Sequence, residues 1–295
     1  MVMSSRRDAA LAYLLIAPAV LAVAVFVAGP AADVVGLSLT RFVMGQARGF
    51  GGFENFRALA VDPLFWDVMG NTALWVFGGA GGAALLGLAV AQALAADTRA
   101  TRWVRAVILI PWILPDVVAA MAWRWMLHGQ VGVVNDILVR LGAIAEGIPW
   151  LGRPDLVMPT LVGVMIWRKV PLAALVLCAA IRSVSAELHE AARIDGAGAW
   201  ARFRFVTFPH IAFSFTAIVV ILLIWTTADF TIVWVMTRGG PANASHIIST
   251  YIYQLAFEFF NWGVAAALGV INLAFLAILV AGYLVVARRS WSRRA

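Results

Sequence analysis

Residues 185–209 read SAELHEAARIDGAGAWARFRFVTFP and lie between two long apolar stretches. Ser185 is a favourable N-cap, and Glu187 would stand in the first turn, where an acidic side chain stabilises a helix. Gly196 can adopt the left-handed conformation that ends a helix, and Pro209 suits the first turn of the next one. The pattern therefore predicts two short helices outside a membrane, amphipathic and suited to a groove on another protein.

The rest of the chain is too apolar for a soluble protein. Of its 295 residues, 63% are hydrophobic and 13% are charged, and the mean hydropathy is +0.91; soluble domains carry about 25% charged residues. Six stretches reach the roughly 20 apolar residues that a membrane-spanning helix needs: 9–29, 69–95, 104–127, 156–181, 211–236 and 264–287. Because apolar residues cover all sides of each stretch, the sequence predicts an all-α integral membrane protein with six transmembrane helices.

The basic residues predict the orientation. The net charge is +7, and the Lys and Arg residues separate the apolar stretches instead of forming a patch, so the sequence gives no indication of nucleic-acid binding. Thirteen lie in one alternate set of connecting segments and six in the other. The positive-inside rule then places both termini and segment 185–209 in the cytoplasm of a multi-pass inner-membrane protein. We expect a cytoplasmic N-terminus at 1–8 and one transmembrane domain over 9–295.

The sequence offers no site for nucleotide or metal chemistry. A phosphate-binding P-loop needs a glycine-rich backbone and a lysine, but the only lysine, Lys169, lies inside an apolar stretch. The four histidines and the single cysteine, Cys178, are scattered along the chain. We therefore predict a non-catalytic chain that binds no cofactor itself and depends on a partner for any ATP hydrolysis.

Several charged and aromatic residues fall within the predicted spans. Charges there are costly and are usually functional. Sugars bind through hydroxyl hydrogen bonds and aromatic faces, so one interpretation assigns these residues to a substrate pathway; the other makes them interhelical ion pairs or snorkelling side chains. Both stay open for the candidates, which are Asp116, Trp167, Arg168, Lys169, Trp225 and Asp229. For Arg124 the structural role is favoured.

Segment 183–209 resembles the EAA loop of binding-protein-dependent ABC import permeases, and we call it the EAA loop. The motif positions match without gaps at Glu190, Ala191, Ala192, Gly196, Val206, Phe208 and Pro209, with Phe208 standing where leucine is usual. The resemblance implies the type I importer fold and a loop that docks into a cleft of an ATPase subunit. It further implies a charge contact through Glu190 and a bend at Gly196. Glu187, Asp195 and Ala197 belong to the same predicted docking segment.

Further motifs, in the same order as in carbohydrate permeases, extend the resemblance along nearly the whole chain. They include Leu14–Pro18, Pro111–Asp116 and Gly239–Pro241. Together they resemble the first, maltose-F-like member of a two-permease pair. The resemblance implies a second permease subunit, two ATPase subunits that bind ATP and Mg, and an external solute-binding protein. The cargo would be a disaccharide, an oligosaccharide or a related polyol such as glycerol-3-phosphate, moved by alternating access.

Three other functions are weighed against this one. An importer of the same kind could carry a non-sugar solute. A secondary transporter would need its own coupling-ion site and would gain nothing from the EAA loop. A membrane enzyme would need a nucleophile with its base, or a metal set, which the sequence does not supply.

Overall fold

The computed structural model describes residues 6–43, 45–96 and 98–291, so residues 1–5 of the predicted N-terminal segment lie outside it. Within the described residues, five helices or helical runs are long and apolar enough to cross a membrane: Leu11–Ser38, Pro63–Leu94, Pro154–Arg182, Ala199–Thr227 and Trp262–Tyr283. A sixth span is possible if the bent pair Arg99–Ile113 and Asp116–Met126 crosses as one. The predicted all-α membrane architecture is confirmed.

The helices follow one another with short connections. In chain order they are α1 (Arg6–Val23), α2 (Gly29–Ser38), α3 (Glu54–Val61), α4 (Pro63–Ala73), α5 (Gly79–Leu94), α6 (Arg99–Val107), α7 (Ile110–Ile113), α8 (Asp116–Met126), α9 (Val133–Arg140), α10 (Pro154–Arg182), α11 (Ala186–Ile194), α12 (Ala199–Arg202), α13 (Phe208–Thr227), α14 (Thr231–Thr237), α15 (Ile248–Tyr253) and α16 (Trp262–Trp291). Four π-helical turns, at Ala24–Ala28, Leu74–Gly78, Phe203–Thr207 and Gln254–Glu258, join or extend them.

The chain divides into two compact units. The first, drawn from Met1–Asp62 and Ile252–Leu273, contains an antiparallel hairpin of β1 (Thr40–Val43) and β2 (Gln46–Phe50) that the sequence did not predict. Asn55 fixes the start of this hairpin by donating to the carbonyl oxygens of Ser38 and Thr40, at 2.8 and 2.9 Å. Gly263 lies so close that an added Cβ would approach Asn55 Nδ2 to 2.8 Å.

The second unit, Pro63–Tyr251 with Ala274–Ala295, has its centre at the contact of α5 and α10. Small residues recur on the buried face of α5, which allows the two backbones to approach closely. Gly87 is the tightest point against the α10 backbone, because a Cβ added there would lie 3.1 Å from the backbone nitrogen of Ala174. The close approach of α5 and α10 therefore depends on small residues at the contact positions.

Two predicted spans are interrupted. The stretch 104–127, expected as one helix, breaks between Ile113 and Asp116, and the two parts bend by 95°. The stretch 211–236, also expected as one helix, ends at Thr227 and resumes at Thr231. The first break follows from Pro115, which disfavours helical geometry in the residue before it; Leu114 is indeed extended, with ψ of 138°.

The segment before α10 is organised around Asn135, of which only 3% is exposed. Its amide nitrogen donates to the carbonyl oxygens of His128, Gly129 and Ile148, and its oxygen accepts from the Ile148 amide and the Trp150 ring N–H. Residues from both ends of the segment 128–150 thus meet at the Asn135 side chain.

Candidate functional site

The first helix of the EAA loop begins and ends as its sequence predicts. Ser185 Oγ accepts a hydrogen bond from the Glu187 amide at 3.2 Å, and α11 follows directly. Gly196 has a φ of +77°, the left-handed region in which other residues are strained. The Ala197 amide closes the end of the helix by donating to the Ala192 carbonyl at 2.9 Å.

The second helix of the loop differs from the prediction. It does not end before the fifth span: α12, the π turn at 203–207 and α13 form one run, Ala199–Thr227. Pro209 is accordingly the second residue of α13 within this continuous run, not the start of a separate helix. The Phe208 amide donates to the Phe203 carbonyl, the wider spacing of a π turn just ahead of the proline. Movement of the loop would therefore pass directly into the fifth span.

The loop surface is open. No residue of α11 is buried, and Ile194, at its end, is 87% exposed. Leu188 on the same helix is 41% exposed. The same helix carries the acidic side chains Glu187 and Glu190, so α11 presents both apolar and charged groups on its surface.

The predicted docking residues occupy one continuous segment. Glu187, Glu190, Ala191 and Ala192 lie on α11, Asp195 and Gly196 form the turn, and Ala197 follows it. Arg202, on α12, donates to the Ala197 carbonyl at 2.9 Å and ties the second helix to the turn. The structure thus brings all of these residues together except Pro209.

The predicted intramembrane residues form two ion pairs. Arg168 pairs through Nε with the carboxylate of Asp116, and its Nη1 donates to the Pro111 carbonyl at 2.7 Å. Lys169 Nζ lies 3.7 Å from Asp229 Oδ2 and 5.8 Å from the centre of the Trp225 ring. The first pair joins α10 to the broken third span, and the second joins it to the break in the fifth.

The sequence predicted that Asp229 lies within a helix, but the structure places it in the break between α13 and α14. Its carbonyl accepts from Ser249 Oγ at 2.7 Å. The two side chains of its ion pair are mostly buried, with 13% of Lys169 and 8% of Asp229 exposed. Burial of this kind is tolerated when opposite charges are paired.

The remaining two candidates have different surroundings. Trp167 packs edge-on against Trp123 with ring centres 5.3 Å apart. Arg124 donates to the Val235 carbonyl at 3.2 Å, which fits the structural role that was favoured for it. In the described part of the chain, no group of three or more His, Cys, Asp or Glu side chains could hold a metal ion.

Sequence reasoning missed the contact that positions the fifth-span break. Trp75 is 1% exposed, and its ring N–H donates to the Thr226 carbonyl at 3.1 Å, one of the last carbonyls of α13. A buried tryptophan commonly finds such a partner, but the partner lies 151 residues away. No local pattern could have identified it.

Comparison with known proteins places these features in context. The family model described as binding-protein-dependent transport system inner membrane component matches residues 83–292. The sulfoquinovosyl glycerol transport system permease protein of Agrobacterium fabrum is 35% identical, over 95% of this chain and 91% of its own. The trehalose/maltose transport system permease protein of Thermococcus litoralis is 31% identical, over 96% and 95%. A chain of a bacterial alginate ABC transporter shares the fold, with a TM-score of 0.77 at 24% identity over 96% of both chains.

Proposed function

Because this chain belongs to the family of binding-protein-dependent transport system inner membrane components, we propose that it forms half of the translocation path of an ATP-driven sugar importer. It acts as a membrane subunit, and the EAA loop receives the force of ATP hydrolysis from a partner. The observation that carries this proposal is the loop geometry. Two helices meet at Gly196, which has a left-handed conformation. No residue of α11 is buried, and the second helix continues into the fifth span.

The motor belongs to other subunits. The chain's single lysine, Lys169, is engaged with Asp229, which leaves no lysine for a P-loop. In the proposed complex, two partner ATPase subunits bind the ATP and Mg. Closure of those subunits displaces α11, and the continuous run Ala199–Thr227 carries the displacement into the membrane. This is a domain-closure mechanism transmitted through packed helices.

A second permease subunit completes the path. The most apolar part of the first span, Leu11–Ser38, has none of its residues buried within the chain. Side chains such as Phe26, 78% exposed, are suited to lipid or to a neighbouring subunit. The family description names a binding-protein-dependent system, which supports a solute-binding protein that docks on the external segments. Both termini face the cytoplasm.

The cargo is a sugar or a related polyol. The named relatives carry sulfoquinovosyl glycerol and trehalose or maltose, and identity to them extends along nearly the whole chain. Asp116, Arg168, Lys169, Trp225 and Asp229 line the proposed substrate pathway. A non-sugar solute carried by the same kind of importer is the second candidate, whereas a secondary transporter does not fit a binding-protein-dependent family.

Co-purification tests the coupling role with a matched pair of glycines. Gly196 requires a positive φ, but Gly198 has a φ of −66° and open space around an added Cβ. Gly196→Ala should strain the turn by about 1–2 kcal/mol and reduce both capture of the ATPase by the tagged chain and transport-coupled ATP hydrolysis. Gly198→Ala should behave like the wild type.

A second variant probes the charge contact in the same assay. Glu190→Arg reverses the charge at the proposed contact. If the acidic Glu190 pairs with a basic group of the ATPase, the arginine would repel that group, so capture of the ATPase should weaken. Wild-type capture by both Gly196→Ala and Glu190→Arg would contradict the docking role. A tagged chain that brings down no ATPase at all would contradict the importer assignment.

A further inference from the structure

Two cavities adjoin at the membrane end of the EAA loop: one has a cluster of charged side chains in a mixed lining, and the lining of the other is apolar except for Gln92. One, of about 450 Å³, is lined by Arg182, Arg193 and Arg202 together with Glu190. The other, also of about 450 Å³, is lined by apolar side chains of α5 and the second loop helix. Gln92, Ala199 and Phe203 line both. A polar chamber therefore opens next to an apolar one.

The apolar cavity follows one face of a helix. Its α5 residues are Leu85, Leu88, Ala89 and Gln92, a spacing of three and four that places side chains in a single row. From Gln92 to Leu85 the row extends about 10 Å along the helix axis, away from the loop and into the apolar span. Leu85 is 64% exposed, so the row is open along its side.

The wall opposite this row is aromatic. Trp200 is 73% exposed and packs against Phe203 with ring centres 5.6 Å apart. Tryptophan is enriched where a membrane meets water, because its ring is apolar and its N–H is polar. Trp200 therefore adds to the apolar cavity a side chain of the type that is common at membrane interfaces.

The polar chamber carries an excess of positive charge. Its lining contains three arginines and one glutamate, which gives a net charge of +2 when the fifth ionisable lining residue, His189, is neutral. Arg202 uses one N–H on the Ala197 carbonyl, but a guanidinium has five donors in a fork that matches phosphate oxygens. Basic pockets among the cytoplasmic ends of transmembrane helices bind anionic lipid headgroups.

We infer that the two cavities together form a binding site for one anionic phospholipid of the cytoplasmic leaflet. Its phosphate lies among Arg182, Arg193 and Arg202, and one acyl chain lies along the row from Gln92 to Leu85. A phospholipid has an anionic headgroup joined directly to apolar acyl chains, which matches a cationic chamber beside an apolar cavity. A soluble anion would occupy only the polar chamber. Because the same arginines stand on the EAA loop, the lipid links the loop to the membrane surface. The inference rests on the proposed cytoplasmic orientation of the loop, but not on the cargo.

Lipid binding to the purified full-length chain tests the site directly. The chain, with any partners that co-purify, is delipidated in detergent and titrated with phosphatidylglycerol or phosphatidylcholine, and bound lipid is counted by native mass spectrometry. Each substitution has a control of the same kind, the first elsewhere on the EAA loop and the second on the same helix, α5. Arg193→Gln removes a chamber cation and is compared with Arg204→Gln; Leu88→Trp fills the apolar row and is compared with Leu86→Trp, on a neighbouring exposed side chain.

We expect phosphatidylglycerol to be retained more tightly than phosphatidylcholine. Arg193→Gln and Leu88→Trp should each weaken its binding by about tenfold, the loss expected for one charge-assisted contact or one blocked chain site, and both controls should bind as the wild type does. Equal retention of the two lipids, or equal effects of cavity and control variants, would overturn the inference. So would displacement of the lipid by inorganic phosphate combined with wild-type binding by Leu88→Trp, since that outcome describes a soluble-anion site. Transport is not measured, so a wrong cargo would leave these results unchanged.

Discussion

At the residue scale, the intramembrane charges of α10 are distributed between the two broken spans. Arg168 and Lys169 are adjacent in sequence, but one pairs with Asp116 of the third span and the other with Asp229 beside the fifth. Successive residues on a helix are about 100° apart, so α10 holds a separate neighbour on each side. The two ion pairs therefore connect α10 to both broken spans.

Neutralising the Lys169 pair separates its structural from its substrate role. Asp229→Asn or Lys169→Met alone leaves the other charge buried without its partner, which costs about 3–5 kcal/mol. Each single variant should therefore lose thermal stability in detergent and lose sugar uptake in cells. The double variant removes both charges and should recover the stability.

Uptake by the double variant decides between the two roles. Recovered stability together with recovered uptake describes an interhelical ion pair, whereas recovered stability with uptake still absent describes residues that contact the cargo. If both single variants are as stable as the wild type, Lys169 and Asp229 do not form the stabilising ion pair that their 3.7 Å separation indicates.

At the element scale, apolar length predicted where the spans are, but not where they break. A run of about 20 apolar residues is long enough to cross the membrane as a helix. Five of the six predicted stretches overlap the candidate spans, and the stretch 104–127 overlaps the bent pair Arg99–Ile113 and Asp116–Met126. The third-span break had a local signal in Pro111 and Pro115. The fifth-span break, at Ala228–Phe230, has neither proline nor glycine. It depends on distant partners, since Trp75 binds the Thr226 carbonyl and Ser249 binds that of Asp229.

The same limit applies to the site. The EAA loop was located from a local spacing of caps, glycine and acidic residues, all within 25 residues of chain. The ion pairs could not be assigned, because one sequence does not fix which way each helix faces. The continuous second loop helix was missed because Pro209 suggested a helix start, and the π turn that precedes it has no sequence signal of its own.

Close packing of α5 on α10 gives an element-scale prediction. Gly87→Ala would place a methyl group within 3.1 Å of the Ala174 backbone, but Gly81, on the same helix, has open space around an added Cβ. Overpacking of a tight contact costs about 1–3 kcal/mol, so Gly87→Ala should lower the melting temperature. Gly81→Ala should leave it unchanged or raise it slightly, since alanine is the better helix former.

Fluorescence-detected size-exclusion chromatography after heating would measure this difference for both variants. The comparison isolates packing, because the two substitutions add the same methyl group to the same helix. Equal melting temperatures would mean that α5 and α10 separate enough to accommodate the methyl group, and that their close approach does not limit stability.

At the scale of the whole molecule, the exposed apolar surface and the charge distribution support one arrangement. The first span has no buried residue in its most apolar part, which requires lipid or another subunit around it. Thirteen of the 22 basic residues lie in alternate connecting segments that include the EAA loop. A bilayer that holds the apolar spans and faces these segments to the cytoplasm satisfies both observations.

The chain's single cysteine allows this orientation to be tested by labelling. Cys178 is free and buried, so Cys178→Ala provides a background without reactive thiols. Ile194→Cys and Leu141→Cys then place one thiol each at strongly exposed aliphatic positions, 87% and 75% exposed, in segments predicted on opposite sides. A membrane-impermeant maleimide applied to intact spheroplasts should label Leu141→Cys and spare Ile194→Cys until the membrane is permeabilised. Labelling of Ile194→Cys after permeabilisation shows that its thiol can be reached, so its protection in intact spheroplasts reports the side of the membrane and not burial or cover by a partner. Labelling of Ile194→Cys from outside would invert the topology, and the EAA loop would then face away from any cytoplasmic ATPase.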